Sequence, residues 1–283
     1  MFHNYIILLR PNHWIKNLLI FFPILFSPLQ IQSNAIMNSF IAFFLFCIAA
    51  SSIYAFNDVV DYKKDKNNIR TKNRPIANGE ISKKNGIYFS VLLCSISLFL
   101  ALILIPKIFI YIATYILLNV LYSYIFKYII LMDIVFVSSG FLLRIITGGI
   151  ATNIDQSIWT LLIISFASLS LASGKRLGHL IKNKNYLSAN WSKILLQIVL
   201  SISLILTLIC YIAFSIDTAV IERHGSNFIW VSIIPFFFLF IRYFYISFVG
   251  KYMGDPTDAI LRDIYLQVFS ILWIIIIFFL IIL

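Results

Sequence analysis

The chain has 283 residues, of which 61% are hydrophobic and 12% charged, whereas about a quarter of the residues in soluble domains are charged. With a mean hydropathy of +0.96, this composition excludes an ordinary soluble domain and indicates a protein of the lipid bilayer. The formal net charge of +11 does not indicate a nucleic-acid partner, because the lysines and arginines fall in loops between apolar stretches, where such residues set membrane orientation.

Apolar stretches recur along the whole chain, and a spanning helix needs about 20 apolar residues. The first stretch contains Pro23 and Pro28, which predict a kink where neighbouring helices cover the freed carbonyls. The sequence predicts an all-α integral membrane bundle of about nine transmembrane helices that forms a single integral membrane domain over residues 1–283. We place the helices near residues 15–32, 35–56, 86–105, 107–126, 129–150, 157–174, 193–215, 227–247 and 264–283.

Basic residues are distributed unevenly between the two sets of connecting loops. Placing the N-terminus in the cytoplasm puts the long polar segments 57–85, 175–192 and 248–263 on that side with most lysines and arginines, and leaves only Lys107 and Arg223 opposite. By the positive-inside rule, this asymmetry predicts a multi-pass protein of the cell membrane with a cytoplasmic N-terminus and an external C-terminus. No small-residue cleavage site follows the first apolar stretch, so we expect no signal peptide to be removed.

Three aspartates, Asp58, Asp61 and Asp65, follow the second predicted helix. On a helix with 3.6 residues per turn, their spacing places the three carboxylates on one face, and Asn57 lies one turn before Asp61. Carboxylates that face the same way repel each other unless a cation lies between them, and oxygen ligands suit Mg²⁺ that bridges to phosphates. The run therefore predicts a magnesium diphosphate site in which the three aspartates are metal ligands and catalytic residues. The alternative is a solvated helix end whose acids pair with neighbouring lysines.

A basic stretch with Arg70, Lys72 and Arg74 follows the aspartates and ends in a turn signal. Arginine binds phosphate oxygens through two parallel hydrogen bonds. The two patterns together resemble the signature of the UbiA superfamily of intramembrane prenyltransferases. This resemblance implies a bundle of nine spanning helices with Asp-rich motifs after helices two and six, closing over a lipid-filled cavity. It rests on Asn57-Asp58-x-x-Asp61-x-x-x-Asp65 followed by Arg70-Thr71-x-x-Arg74-Pro75-x-Ala77-x-Gly79.

The loop expected after the sixth helix, residues 174–180, contains no aspartate where most of the superfamily carries carboxylates. It instead resembles the decaprenyl-phosphate phosphoribosyltransferase branch, and this resemblance extends from Leu9 to Leu266. That branch uses phosphoribosyl diphosphate as donor and a polyprenyl phosphate as acceptor. Because the donor carries a 5-phosphate besides its diphosphate and the acceptor is itself a phosphate, these substrates require more cations and fewer carboxylates in the site. The other segments that carry the resemblance are Leu9-Arg10-Pro11-x-x-Trp14-x-Lys16-Asn17 and Phe141-Leu142-Leu143-Arg144-x-Ile146-x-Gly148-Gly149.

Several cationic and amide side chains are expected to bind the substrate phosphates. Arg144 lies near the middle of a predicted helix, where an ionisable group is costly and marks a cavity or pathway; the alternative is a structural pair with Asp133, which lies on the same face. Lys175 and Arg176 are alternatively anchors at the cytoplasmic surface. The predicted substrate-binding residues are Asn57, Arg10, Lys16, Asn17, Arg70, Lys72, Arg74, Arg144, Lys175, Arg176 and Asp258.

The last cytoplasmic segment contains a helix start with Asp255 as N-cap and Pro256 at the first helical position. Asp258 is spaced for an ion pair with Arg262, whereas Asp263 lies about 140° around the helix from Asp258. The sequence leaves open whether Asp255, Asp258 and Asp263 bind a second metal or only cap and pair a helix.

The predicted activity is the Mg²⁺-dependent transfer of a 5-phosphoribosyl group from phosphoribosyl diphosphate to a polyprenyl phosphate at the cytoplasmic face, in cell envelope biosynthesis. Cleavage of the donor gives an oxocarbenium-like sugar, and the acceptor is already anionic, so the reaction needs positioning and charge stabilisation more than a general base. One alternative is a UbiA-type transfer of a prenyl group to an aromatic acceptor in quinone biosynthesis. Another is a membrane transporter, for which intramembrane Asp133 and Arg144 are the supporting features.

Overall fold

A computed structural model describes residues 2–26, 33–69, 71–129, 131–182, 192–249, 259 and 262–282, and most of these residues lie in helices. These described ranges contain no β-strand. The predicted all-α class is therefore confirmed.

Twelve α-helices and several 3-10 helices follow one another in the described chain. Two 3-10 helices, Pro11–Phe21 and Ile229–Ser232, lead directly into α-helices, and a third covers Phe126–Tyr128. The α-helices are α1 (Phe2–Leu9), α2 (Phe22–Leu25), α3 (Ala35–Val60), α4 (Tyr62–Lys66), α5 (Lys83–Leu104), α6 (Pro106–Tyr124), α7 (Met132–Thr152), α8 (Ile158–Lys182), α9 (Lys193–Ile216), α10 (Thr218–His224), α11 (Ile233–Val249) and α12 (Ile264–Ile282).

Seven described helical segments are long and apolar enough to cross a bilayer, and a further apolar stretch over Ile264–Leu280 is shorter. The chain is therefore a multi-pass membrane protein. The first predicted span, residues 15–32, contains the end of the 3-10 helix Pro11–Phe21 and α2, and residues 27–32 lie outside the described part. The count of nine spanning helices stays a prediction.

Polar residues mark the points at which several helices begin. Ser82 caps α5 by accepting a hydrogen bond from the Asn85 backbone N–H at 3.2 Å, and Ser192 caps α9 through the Leu195 N–H at 3.4 Å. Pro106 occupies the first turn of α6, where its missing N–H leaves no hydrogen bond unmade. These local signals explain why the predicted starts near 86, 107 and 193 lie within three residues of the observed ones.

One compact unit comprises Met1–Leu25, Ile31–Lys127 and Leu143–Asp155. Its core is built around α3, where Phe46 packs with Ile108 and Ile112 of α6, all fully buried. Hydroxyls of α5 bond to α3 carbonyls, with Ser90 reaching Ser52 at 2.8 Å and Ser97 reaching Leu45 at 2.9 Å. Small side chains and interhelical hydrogen bonds of this kind hold helices together in lipid, where apolar burial alone does not.

The second compact unit comprises Phe26–Gln30, Tyr128–Leu142 and Gln156–Leu283. Its core includes the fully or largely buried side chains of Leu196, Leu200 and Leu204, which recur every four residues along one face of α9. The Tyr211 hydroxyl lies 2.7 Å from the Ser232 hydroxyl and also accepts from the Trp273 indole N–H at 2.7 Å. The prediction that residues 1–283 form a single domain stays a prediction.

Candidate functional site

Asp58 lies in the last turn of α3 and is only 2% exposed. Its Oδ1 accepts hydrogen bonds from Arg10 Nη2 and, at 3.0 Å, from Arg74 Nη1. Arg10 lies between α1 and the first 3-10 helix in a left-handed backbone conformation, with φ of 52°. Burial lowers the pKa of Arg10, and the neighbouring Asp58 carboxylate opposes this shift. The three segments that contain these residues thus converge on one buried carboxylate.

Asp65 lies on α4 and is also buried, with 6% exposure. Its Oδ2 accepts a hydrogen bond from Arg74 Nη1 at 2.7 Å, so one nitrogen of Arg74 contacts both Asp58 and Asp65. The loop that carries Arg74 is anchored by Ile76 and Ile81, which are buried in a small core cluster. The structure thus brings Asp58, Asp65 and Arg74, all three of them predicted site residues, into contact.

Asp61 has a different environment. It is the C-cap of α3, and its carboxylate accepts a hydrogen bond from Lys127 Nζ at 2.6 Å. Asn57, one turn earlier, accepts through Oδ1 from the Ser123 hydroxyl. α3 ends at Val60 and Asp65 belongs to the separate helix α4. The Asp61 N–H donates to the Asn57 carbonyl and the Asp65 N–H to the Asp61 carbonyl, both at 2.8 Å, so helical hydrogen bonds continue across this junction. The shared face of the three carboxylates stays a prediction.

Within the described residues, no group of three or more Asp, Glu, His or Cys side chains is arranged to hold a metal ion. The carboxylates of Asp58 and Asp65 nevertheless lie on either side of one cationic nitrogen of Arg74, at 3.0 and 2.7 Å. These oxygen donors suit a divalent cation, whereas Asp61 is paired with Lys127. The donor chemistry fits magnesium at Asp58 and Asp65, and the role of all three as metal ligands stays a prediction.

Arg144 lies in the half of α7 that belongs to the first unit and is 5% exposed. Its Nε donates to Asn17 Oδ1 at 2.7 Å, and its Nη2 donates to the Tyr115 hydroxyl at 3.4 Å. The rings of Phe46 and Tyr115 lie 5.0 and 5.1 Å from the guanidinium carbon, a distance at which cation–π attraction operates. Asn17 also donates to Cys47 Sγ at 3.1 Å. Two predicted substrate-binding residues, Arg144 and Asn17, are thus in direct contact.

Asp133 lies in the first turn of α7, in the second unit, and is 3% exposed. It forms a two-bonded ion pair with Arg176, and the helix N-terminus also favours its negative charge. Arg176 and its neighbour Lys175 lie within α8, which continues to Lys182. The expectation of a loop over residues 174–180 is therefore wrong, and the two cations are presented from a helix.

Arg242 and Asp263 form a second two-bonded pair in the same unit, with distances of 3.0 Å from Nε to Oδ1 and 2.7 Å from Nη2 to Oδ2. Asp263 Oδ1 also accepts from the Leu266 N–H at 3.1 Å. The carboxylate of Asp263 thus pairs with an arginine and caps α12, as one of the two interpretations predicted. Asp255 and Asp258 lie outside the described residues.

The remaining predicted residues are more scattered. Lys16 is half-buried on the first 3-10 helix, Lys72 is exposed in the turn before Arg74, and Arg70 lies outside the described residues. Several site residues have side-chain partners that no motif or spacing in the sequence predicted. Ser123 lies near the end of α6 and Lys127 on the 3-10 helix that follows it, so no single helical spacing in the sequence linked the two residues to the aspartate run. The missed partners are Tyr115, Ser123 and Lys127.

The profile of the UbiA prenyltransferase family matches residues 20–259. The chain belongs to this family. It is 34% identical over 286 aligned residues to the decaprenyl-phosphate phosphoribosyltransferase of Mycolicibacterium smegmatis, covering 94% of this chain and 88% of the relative. The decaprenyl-phosphate phosphoribosyltransferase of Mycobacterium tuberculosis is 31% identical, with coverage of 94% and 90%.

Solved structures of UbiA proteins share the fold. The structure of a UbiA homolog from Archaeoglobus fulgidus bound to GPP and Mg²⁺ matches with a TM-score of 0.71 and 18% identity, covering 99% of this chain and 100% of that one. The predicted UbiA-like helical architecture is therefore confirmed. In this UbiA family member, the aspartate run that carried the family resemblance is the segment where the buried carboxylates and their arginine partners converge.

Proposed function

We propose that this UbiA family member transfers a 5-phosphoribosyl group from phosphoribosyl diphosphate to a polyprenyl phosphate and releases diphosphate. The observation that carries the proposal is the cluster in which Asp58 and Asp65 share the Arg74 guanidinium. Such a cluster contains both the oxygen ligands for a divalent cation and the guanidinium donors for a diphosphate. The similarity to decaprenyl-phosphate phosphoribosyltransferases at 34% and 31% identity supports the choice of donor and acceptor.

The donor diphosphate is assigned to the first unit. Asp58 and Asp65, with Asp61 as third ligand, would hold Mg²⁺, which when bound neutralises the negative charge on the diphosphate. Arg10 and Arg74 bind these carboxylates in the structure, and in the substrate complex Arg74 donates to diphosphate oxygens. Positive groups that are already fixed around the leaving diphosphate lower the barrier, because they stabilise the negative charge that develops there as the bond breaks.

The chemical step exchanges one bond at the sugar C1 for another. The bond from C1 to the diphosphate oxygen breaks, and the electron pair leaves with the diphosphate. An oxygen of the acceptor phosphate forms the new bond to C1. The acceptor enters as an anion, so no side chain has to remove a proton, and positioning provides much of the acceleration.

The reaction involves two phosphates besides the diphosphate, which are the 5-phosphate of the donor and the phosphate of the acceptor. The predicted phosphate ligands include two more cationic groups. Arg144 is held by Asn17 and Tyr115 within the first unit, and Arg176 is held by Asp133 within the second, next to Lys175. We assign Arg144 to one of these phosphates, and the role of Lys175 and Arg176 as phosphate ligands stays a prediction. A buried guanidinium beside aromatic rings is weakly hydrated, so a phosphate displaces little water on binding to it.

The test is an assay of purified protein with Mg²⁺, labelled phosphoribosyl diphosphate and a polyprenyl phosphate. We expect labelled lipid product that requires the metal, and we expect Asp61→Ala to abolish it. Lys64→Gln is the control, because Lys64 is exposed on α4 beside the aspartates. Asp61→Ala protein with activity near the parent level would contradict the assignment.

A parallel reaction with a prenyl diphosphate and 4-hydroxybenzoate separates this proposal from prenyl transfer to an aromatic acceptor. Both reactions ionise a diphosphate, so the aspartate run alone does not distinguish them. Label that appears only in the prenylated aromatic product would overturn the choice of substrates.

The positive-inside rule supports an N-terminus and an aspartate run on the cytoplasmic side of the cell membrane, with the C-terminus outside. Reporter fusions at the C-terminus test this orientation. We expect a periplasmic-type reporter to be active there, and activity of a cytoplasmic reporter would reverse the assignment.

A further inference from the structure

Arg74 occupies the position that a bridging cation takes between two carboxylates. Its Nη1 lies 3.0 Å from Asp58 Oδ1 and 2.7 Å from Asp65 Oδ2. Both carboxylates are buried, whereas the Arg74 side chain is 31% exposed. The mobile partner in this cluster is therefore the arginine, because a side chain that is partly exposed can turn towards solvent without unpacking the core.

A guanidinium and a divalent cation cannot occupy the same position between these carboxylates. Two buried carboxylates without an intervening cation repel each other strongly, so Arg74 stabilises the metal-free site. A metal ion that enters this position has to displace Arg74, and the displaced guanidinium then needs an anionic partner. A diphosphate is such a partner, and it binds arginine through parallel hydrogen bonds.

We propose that Arg74 is a positioning residue that keeps the site closed to metal alone, so that a divalent cation and the diphosphate enter together. This inference rests on the proposed function, since it assumes that Asp58 and Asp65 are metal ligands. On diphosphate binding, Arg74 moves from the carboxylates to the diphosphate oxygens. Arg10 remains beside Asp58 and keeps this buried carboxylate paired during the exchange.

The backbone around Arg74 supports a movement confined to its side chain. The Arg74 N–H donates to the Thr71 carbonyl at 3.0 Å, and its carbonyl accepts from the Asn78 N–H at 2.9 Å. Ile76 and Ile81 are buried at 1% and 3% exposure. A loop fixed in this way presents the guanidinium to the carboxylates and to an incoming diphosphate from the same point.

The experiment measures Mn²⁺ binding by electron paramagnetic resonance, with and without inorganic diphosphate, on detergent-purified full-length protein. We expect Arg74→Gln to bind Mn²⁺ alone about tenfold or more tightly than the parent protein, which corresponds to an ordinary coupling between two ligands. Arg74→Lys restores a cation between the carboxylates and should return Mn²⁺ affinity to within about threefold of the parent. The matched control Lys64→Gln removes one positive charge from the same segment without replacing Arg74 and should leave Mn²⁺ affinity nearly unchanged.

If Arg74→Gln protein binds Mn²⁺ no more tightly than the parent protein, the inference about Arg74 is overturned. The proposed function still stands in that case, provided that the parent protein binds Mn²⁺ in the presence of diphosphate. If the parent binds no Mn²⁺ even with diphosphate, the proposed metal site and this inference both fail.

A measurement on the parent protein covers the case in which Arg74→Gln does not fold. Mn²⁺ and inorganic diphosphate should each bind about tenfold or more tightly in the presence of the other, after correction for their complex in solution, and independent binding would contradict the inference.

Discussion

Arg176 donates two hydrogen bonds to Asp133, from Nε to Oδ2 at 2.5 Å and from Nη2 to Oδ1 at 2.7 Å. The pair joins the late part of α8 to the first turn of α7 within the second unit. Asp133 is nearly fully buried, and 21% of the Arg176 side chain is exposed. The buried Asp133 carboxylate therefore binds the Nε and Nη2 edge of the guanidinium, and this contact orients the Arg176 side chain.

Replacing Asp133 with Ala leaves Arg176 without its carboxylate partner, and we expect the protein to lose about 1–3 kcal/mol of stability. Replacing both residues, as Asp133→Ala with Arg176→Met, should cost less than the sum of the two single changes, because no unpaired charge remains. Thermal unfolding of all four proteins in the same detergent gives the coupling. Strictly additive losses would show that the pair contributes no interaction energy.

Asp58 and Asp61 lie close together in sequence but should respond differently to substitution. Asp58→Asn removes a buried charge that two arginines contact, so we expect both a loss of stability and a fall in turnover of about 10²- to 10³-fold. The Asp61 side chain is 29% exposed and pairs with Lys127, so Asp61→Asn should lower turnover comparably with little effect on stability. Unfolding temperature and turnover measured on the same preparations separate the two effects. Equal destabilisation by both variants would contradict the difference in burial.

The helices could be predicted from the sequence because hydropathy and capping residues act locally. The span predicted over residues 193–215 is observed as Lys193–Ile216, with Ser192 as its cap. The end of α8 could not be predicted in this way. Hydropathy falls at Gly174, where the apolar segment ends, whereas the hydrogen bonds of the helix continue to Lys182. A change in polarity therefore marked the end of an apolar segment and not the end of a helix.

The candidate site could be predicted only where a local spacing or a family motif contained its residues. The aspartates and Arg74 belong to one short segment, and their proximity was expected. Lys127 is 66 positions from Asp61 and lies on the 3-10 helix Phe126–Tyr128, so its contact with Asp61 depends on how the chain packs after α6. Helix periodicity predicts neighbours three or four residues apart and provides no information on such distant partners. The pairing of Asp133 with Arg176, 43 positions apart, was missed for the same reason.

Arg144 provides a test of the predicted phosphate contacts. Arg144→Lys keeps the charge but loses the flat guanidinium that bonds to Asn17 and stacks near Phe46 and Tyr115. We expect kcat/KM to fall by about tenfold or more, since one charge-assisted contact contributes about 1.5–3 kcal/mol. Asn17→Ala should produce part of this loss, because it removes the side chain that orients Nε. Parent-level kcat/KM for both substrates in Arg144→Lys would assign this residue a structural role alone.

Two glycines in helices should tolerate alanine to different extents. A Cβ at Gly148 would collide with the backbone carbonyl oxygen of Ile20, whereas a Cβ at Gly174 would meet the hydroxyl end of the Tyr243 side chain. Overpacking costs about 1–3 kcal/mol, against a gain of about 1 kcal/mol from replacing a helical glycine. Because a side chain yields more easily than a backbone, Gly148→Ala should lower the unfolding temperature clearly more than Gly174→Ala. The reverse order would show that the 3-10 helix containing Ile20 moves easily.

His224 should make the stability of the protein sensitive to acid. It lies at the end of α10, outside the spanning segments, with 7% exposure. Its Nδ1 has no hydrogen-bond partner among the described residues. Burial, with a smaller contribution from Arg223, lowers its pKa from 6.5 to about 4.

Between these two pKa values, the unfolded chain binds a proton at His224 and the folded protein does not, so stability falls as the pH drops below 6.5 and the loss is complete below about pH 4. Unfolding temperatures should be measured from about pH 7.5 to about pH 5, where few carboxyl groups titrate. We expect His224→Phe to show a smaller decrease over this range than the parent protein, because phenylalanine packs in the same apolar surroundings beside Phe214 and cannot take up a proton. His3→Gln serves as the control, since His3 is exposed. If His224→Phe and the parent lose the same stability on acidification, proton uptake by His224 is not the cause.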